Sequence, residues 1–443
     1  MQGNISSFLA RCNEAREQTL RMKRPHIVGH FDADGLTSSS ITAAFLAQEK
    51  ISFTIQNVKK LSPSLIHSLK NKEELIFTDL GSGAKEMDEL KGSVVVLDHH
   101  QRAGIAHLEV NPYLFNFNGD THISAAGICY FVFKTHAHLG IVGAVGDVQS
   151  PLSDPESLNS LMLQEAQSQG LAKRYYGLRL FGKASRSLAQ MLFFADDPYL
   201  PGISGDLSRC EQFLSSCGLA QKNSAPHTYL SLSEEEQGAL ISALAQYLSK
   251  DGSATTPSHL VCENYLLHNQ PPNTELYDAS EFSTLLNACG RNNEPQTGVG
   301  VCLGNPDSIR AAISLLALHR KNLREGIGFA QRNLEDFGPF LFLDGRSIIS
   351  DSIIGVVAGM LVGRAQKPIL AIALDSDAPN MLKISTRATK SLVQAGLNLG
   401  ATLNECASYF GGAGGGHKIA AGATIPMEKL DSFLLVFAKS LRK

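Results

Sequence analysis

The stretch His30-Phe31-Asp32-Ala33-Asp34-Gly35 follows directly on the apolar run Ile27-Val28-Gly29. Three later apolar runs end in the same manner. Leu75-Ile76-Phe77-Thr78 runs into Asp79, Val94-Val95-Val96-Leu97 into Asp98-His99-His100, and Ile141-Val142-Gly143-Ala144-Val145-Gly146 into Asp147. Short β-branched runs separated by helical patterns predict parallel strands. In open parallel sheets the chemistry lies beyond the carboxyl ends of the strands. Four strands are therefore expected to deliver acids and imidazoles to one rim. The expected fold class is α/β, a doubly wound parallel sheet over 25–148 with helices at 37–48, 84–90 and 124–137.

Within His-x-Asp-x-Asp, alternate residues of an extended segment share one side, so three ligands point into one site. Asp79, His99 and Asp147 complete two ligand sets. Clustered carboxylates raise one another's pKa unless a cation neutralises them. Mixed imidazole and carboxylate donors suit Mn²⁺ better than Mg²⁺. Two such ions about 3.5–4 Å apart clamp a phosphoryl group during in-line displacement. Each acid taken singly reads as a helix cap or a turn residue. Asp32, Asp34, Asp79, His99 and Asp147 together read as a dinuclear metal site.

Outside this stretch, an amphipathic helix is predicted over 3–24, stopped by Pro25. A helix over 154–170 leads into a basic and aromatic stretch at 171–195. There Lys173, Arg174, Arg179, Lys183 and Arg186 lie among Tyr175, Tyr176 and Phe181 without an acid. It reads equally as a single-strand groove or as a solvated helix face. Asp196-Asp197-Pro198 marks a break, and 205–275 reads as a mainly helical insertion. Within it, Ser233 and Glu236 form a capping box and Gly218 a C-terminal cap. The longest helical pattern is 306–333, an interdomain helix. A smaller α/β unit follows over 334–443, with strands at 340–343, 368–374, 382–386 and 420–425 and helices at 351–364, 389–398 and 427–441.

Gly411-Gly412-Ala413-Gly414-Gly415-Gly416-His417 precedes the last of these strands. Its glycines let backbone N–H groups approach an anion. It is not a P-loop, because His417-Lys418-Ile419 stands where Gly-Lys-Ser/Thr is needed.

The totals narrow the class. The chain has 443 residues, of which 43% are apolar and 18% charged, enough for two or three domains. A net charge of −3 argues against coating nucleic acid by bulk electrostatics. Eight cysteines without a C-x-x-C pair imply reduced thiols and a cytoplasmic protein. No run reaches the ~18 apolar residues of a membrane helix, and the N-terminus carries no secretory pattern.

The four acidic stretches resemble the four motifs of the DHH phosphoesterase superfamily. Gly414 to Gly422 resembles the signature of the DHHA1 domain that accompanies one of its branches. Asn287-Ala288-Cys289-Gly290-Arg291 is similar to the Asn-Ala-x-Gly-Arg motif of RecJ-type nucleases. A helix ending at Gly290 beside a dipole-favoured arginine is the plainer alternative. The resemblance implies that His30, Asp32 and Asp79 hold one ion. It gives Asp34, Asp79, His99 and Asp147 to a second, with Asp79 bridging. It implies that His100 faces the scissile phosphate and that Asp98 orients a histidine. Arg291, Arg387, Gly414, Gly415, Gly416 and His417 would then grip substrate phosphates.

This organisation implies a DHH domain over 1–305, the interdomain helix and a DHHA1 domain over 334–443. The chain ends with the DHHA1-like unit, without the OB-fold of bacterial RecJ proteins, as in archaeal RecJ-like proteins that associate with the GINS complex. The expected activity is 5′→3′ exonucleolysis of single-stranded DNA or RNA in replication or repair. Two alternatives stay open: an oligoribonuclease, cyclic-dinucleotide or pAp phosphodiesterase, and a replication scaffold.

Overall fold

A computed structural model describes residues 3–195, 198, 200–219, 228–250, 260–363 and 366–441. The expected Asp196-Asp197 break, and the parts of the insertion at 220–227 and 251–259, lie outside the described residues. The chain divides into two compact units, Met1–Leu316 and Ala317–Lys443.

The first unit opens with α1 (Ile5–Leu20). Strand and helix then alternate through β1 (His26–His30), α2 (Ala33–Gln48), β2 (Thr54–Val58), α3 (Pro63–Leu69) and β3 (Glu74–Thr78). Two further strands follow, β4 (Ser93–Leu97) and β5 (Leu108–Val110). The sheet order is β2-β1-β3-β4-β5, parallel throughout. The inner strands are β-branched because helices or loops cover both faces, and Val28, Ile76 and Val95 are fully buried. The chain leaves β1 for β2 on one side and returns to β3 on the other. The crevice at that reversal is where open parallel sheets bind ligands.

Helix α2 begins there, capped by Asp32, whose carboxylate accepts the Gly35 N–H at 3.0 Å. Its buried hydroxyls Ser38, Ser40 and Thr42 donate to carbonyls one turn back. A helix of small residues thus packs closely on every side without orphaned polar groups. Next come α4 (Ala125–Phe133), α5 (Ala137–Gly146) and α6 (Leu158–Ser168). The run 141–146, expected to be the fourth strand, is the body of α5. It is buried all round, so apolarity gives no period to read. Its glycines recur every three residues and make close contacts. A Cβ on Gly140 would meet Met162, on Gly143 Asp34, and on Gly146 Ala33.

The basic stretch opens as a strand rather than a helix. β6 (Ala172–Leu178) pairs antiparallel with β7 (Val261–Leu267) as a two-stranded ribbon. Between them lie α7 (Leu188–Phe193), α8 (Leu207–Ser216) and α9 (Glu234–Lys250). These helices share a separate core that includes Leu178, Leu192, Tyr229, Leu244 and Leu260. The helical insertion therefore starts at the ribbon, earlier than the expected 205. The capping box is formed: Ser233 N–H donates to Glu236 at 2.9 Å, and Glu236 N–H to Ser233 Oγ at 3.2 Å. Gly218 takes a φ of 74° just beyond α8. The unit closes with α10 (Ala279–Arg291) and α11 (Pro295–Cys302), and α12 (Pro306–Asn333) spans the division.

The second unit holds β8 (Leu334–Asp336), β9 (Leu341–Asp344), α13 (Ile354–Val362), β10 (Ile369–Leu374) and β11 (Met381–Arg387). After them come α14 (Lys390–Gln394), α15 (Leu399–Tyr409), β12 (Ala413–Gly416), β13 (Ala420–Pro426) and α16 (Leu430–Ser440). The sheet order is β12-β13-β11-β10-β9-β8. Among the described residues no helix is long and apolar enough to cross a membrane.

Candidate metal centre

The carboxyl ends of β1, β3 and β4 and the end of α5 converge. Three donor groups form, His30/Asp32/Asp79, Asp34/Asp79/His99/Asp147 and Asp79/His99/His100, with the donor atoms of each group within 4.8 Å of one another. Asp79 belongs to all three, and the first two match the expected ligand sets. Its Oδ2 lies 3.3 Å from His30 Nδ1 and its Oδ1 lies 3.3 Å from His99 Nε2. His30 Nδ1 is also 3.0 Å from Asp32, and His99 Nε2 is 3.1 Å from Asp147.

These contacts are close but misdirected for hydrogen bonds. His30 Nδ1, Asp79 Oδ1 and His99 Nε2 are buried and make none. Three such atoms facing one another call for a water or a cation between them. The donor set thus fits a pair of divalent ions.

Backbone geometry sets up this convergence. Asp79 follows β3 with φ 62°, a left-handed turn that Asp tolerates better than most residues. Asp34 is aimed by the start of α4, accepting Ala125 N–H at 2.7 Å and Ala126 N–H at 2.9 Å. His99 Nδ1 meets the Gly119 carbonyl at 2.8 Å, which leaves Nε2 facing the acids. Asp98 does not join either set. Its carboxylate accepts Ser82 N–H at 2.8 Å and meets His100 Nδ1 at 2.8 Å.

Electrostatics follow from burial and crowding. Burial, then the neighbouring Asp147 charge, lifts Asp34 to about 7. Asp79 is raised by burial and by Asp32 and Asp34, and Asp147 chiefly by burial. Burial alone would depress the histidines. The acids outweigh it, so His30 and His99 rise well above their ordinary value and His100 reaches about 9, held up by Asp98. Burial works against the Asp98 charge too, yet His100 holds that carboxyl well below the usual range.

Helix α10 brings in the Asn-Ala-x-Gly-Arg stretch. Ala33 N–H donates to Asn287 Oδ1 at 3.1 Å, tying the start of α2. Gly290 abuts the Phe31 carbonyl, where a Cβ would lie 1.9 Å away. Burial lowers the Arg291 pKa, and the Asp32 charge opposes that. Gly290→Ala is expected to cost about 1–3 kcal/mol by forcing backbone apart. Gly328, on α12, has nothing within 4 Å of its Cβ position, and Gly328→Ala is expected to gain about 0.5–1 kcal/mol. Urea titrations of both variants distinguish the two; equal effects would discard the contact argument.

Asn57, Gly119 and Asn287 were given no site role from sequence. Asn57 donates to the His30 carbonyl at 2.8 Å. It sits on β2, a strand the sequence reading did not find.

Arg387, Gly414, Gly415, Gly416 and His417 gather in the second unit. Arg387 ends β11 opposite Ala420, and Gly416 on β12 pairs with Ala421. His417 N–H bonds the Ala420 carbonyl at 2.8 Å. Three of the glycines are strand residues rather than loop. Gly355 on α13 leaves room for Arg387, whose Nη2 would lie 2.7 Å from a Cβ there.

Family models match in series along the chain. The DHH family N-terminal domain matches 25–151, the DHH-CID domain 180–260 and the DHHA1 domain 338–443. The chain belongs to the DHH–DHHA1 superfamily. This DHH–DHHA1 protein is 27% identical over 426 residues to a Methanocaldococcus jannaschii protein described as uncharacterised, covering 92% of this chain and 91% of that one. RecJ of Thermus thermophilus, crystallised with Mn²⁺, has a similar fold, with TM-score 0.61 at 16% identity over 98% of this chain. The chain spans 55% of that RecJ. CDC45 of Entamoeba histolytica matches with TM-score 0.60 at 12% identity over 99% of both chains. The insertion, unassigned from sequence, corresponds to the DHH-CID domain.

Proposed function

We propose that this protein hydrolyses phosphodiester bonds at a dinuclear divalent-metal centre, as a RecJ-like exonuclease acting 5′→3′ on single-stranded nucleic acid. The carrying observation is Asp79, with one carboxylate oxygen toward each donor set. His30, Asp32 and Asp79 would hold one ion, and Asp34, Asp79, His99 and Asp147 the other. Mn²⁺ suits the mixed donors better than Mg²⁺. Ions bound there supply the Lewis acidity that activates water and neutralises charge on a phosphoryl group.

The chain's own groups do the rest. His100 is half exposed, with Nδ1 tied to Asp98. It presents a charged Nε2–H to a phosphate oxygen. Arg291, at the end of α10, offers a bidentate fork to the next phosphate. Arg387, His417 and the amides of Gly414–Gly416 form a second phosphate-binding group. A replication or repair setting, with a GINS-like partner, is supported by the resemblance to archaeal RecJ-like proteins and by the fold shared with RecJ and CDC45.

The test is Mn²⁺-dependent digestion of 5′- and 3′-labelled strands of ~30 nucleotides, as DNA and as RNA, beside a dinucleotide. Processive loss from the 5′ end, abolished by Asp34→Ala, is the expected result. Cleavage of the dinucleotide alone would move the protein to the small-substrate phosphodiesterases. Metal binding without any cleavage would make it a scaffold.

A further inference from the structure

Asp147 is held differently from the other candidate ligands. Asp32 and Asp34 sit at helix N-termini and accept backbone N–H groups. Asp147 follows the last residue of α5, at the negative end of the helix dipole, where a carboxylate is disfavoured. The next residue, Val148, has φ 58° and is 85% exposed. A β-branched side chain in the left-handed region is strained. Such strain persists only where the surroundings over-determine the backbone.

The surroundings here come from far along the chain. On one side Gln149 Nε2 donates to the Gly119 carbonyl at 2.9 Å, the same oxygen that His99 Nδ1 meets. On the other side the loop is gripped by β7. Ser153 donates to the Glu263 carboxylate through N–H at 3.2 Å and Oγ–H at 2.5 Å. Leu152 N–H donates to Tyr265 Oη at 2.6 Å, and Tyr265 O–H donates to Glu263 at 2.5 Å. Glu263 is only 6% exposed. A carboxylate buried with this many donors is a committed anchor rather than a surface ornament. Its strand is one half of the ribbon that carries the insertion.

We propose that Glu263 and Tyr265 are positioning residues through which the insertion holds the Asp147 turn and sets the affinity of the Asp34/Asp79/His99/Asp147 site for its divalent ion. The ion held by His30, Asp32 and Asp79 lies outside this control. A partner that docks on the insertion and tilts the ribbon would thereby adjust one ion and spare the other. The inference rests on the metal-centre reading above.

The test is Mn²⁺ binding to the full chain by calorimetry, with electron paramagnetic resonance to detect the exchange-coupled pair. Wild type is expected to take up two ions. Glu263→Ala is expected to weaken one step by roughly 10–100-fold, to leave the other unchanged, and to lose the coupled signal at Mn²⁺ levels that saturate wild type. Tyr265→Phe, the gentler change, is expected to weaken the same step by several-fold, and it decides the matter if Glu263→Ala does not fold. Leu244→Ala, in the insertion core, lowers stability without touching the clamp and is expected to leave both steps alone. If wild type binds two ions and both clamp variants match it, this inference falls and the metal reading stands. If Leu244→Ala weakens binding as much as Glu263→Ala, the role is merely structural and the inference falls. If wild type binds no Mn²⁺, both fall.

Discussion

Asp79→Asn is expected to lower phosphodiester turnover by at least about 10³-fold, or ~4 kcal/mol of barrier, while leaving the fold intact. The amide replaces one carboxylate oxygen with a donor, so one donor set loses its shared ligand, and the site loses a unit of negative charge. Both ions then bind more weakly. The backbone is spared, because Asn adopts the left-handed conformation of residue 79 readily. Asp79→Ala lacks that tolerance and adds strain of about 1–2 kcal/mol. In metal-free protein Asp79→Asn is expected to melt no lower than wild type. It removes a buried charge that burial, Asp32 and Asp34 all oppose. Turnover and melting temperature, measured side by side, should move apart. Retention of a tenth or more of wild-type activity would remove Asp79 from the bridging position.

The second large effect is the dependence of metal stabilisation on pH. Asp34, Asp79 and Asp147 have folded pKa values above their ordinary 3.8, Asp34 reaching about 7. The native state therefore holds protons that the unfolded chain has released. Stability from these acids is lost as pH rises above about 4, for Asp34 through about 7. His30, His99 and His100 are also raised above their ordinary 6.5, His100 to about 9. Their stabilisation is complete below the unfolded value and is lost as pH climbs through the folded one. Both groups act in the same direction across neutrality. Asp32 and Asp98 are lowered, so their contribution is lost only in stronger acid. Metal-free protein is thus expected to melt lower at about pH 8.5 than at about pH 5.5. Mn²⁺ binds deprotonated ligands, so it should restore most where the loss is greatest. A thousandfold excess over Kd gives about 4 kcal/mol. Thermal shifts with and without Mn²⁺ across that range measure it; a gap that stays constant with pH would refute the linkage.

The clustering of the candidate ligands was legible because each stands next to a signal that sequence carries locally. β1, β3 and β4 are short β-branched runs, and His30, Asp32, Asp34, Asp79 and His99 sit within a few residues of their ends. The element bearing Asp147 was misread. Ile141 to Gly146 is apolar on every face as a helix, and only the three-residue spacing of Gly140, Gly143 and Gly146 betrays the period. The ribbon was missed for another reason. Tyr176 pairs with Glu263, and no local pattern announces a partner so distant. α15 was overlooked although Asn398 caps it, accepting Ala401 N–H at 3.1 Å, and Leu399, Leu403, Cys406 and Ala407 mark its buried face. The roles of Asn57 and Gly119 depend wholly on tertiary placement.

The pairing of β6 with β7 also imposes an order in time. Ser153 and Glu263 are 110 residues apart in the chain. At about 5–20 residues per second of synthesis, the loop bearing Asp147 waits roughly 6–22 s for its anchor to be made. Every candidate ligand has left the ribosome by then, but the turn that presents the last of them has only Gly119 to close against and lacks Glu263 and Tyr265. A chain broken off inside the insertion would carry all the ligands and no clamp. The centre is thus finished by a segment that contributes no ligand to it, and only after the insertion has folded back on the sheet.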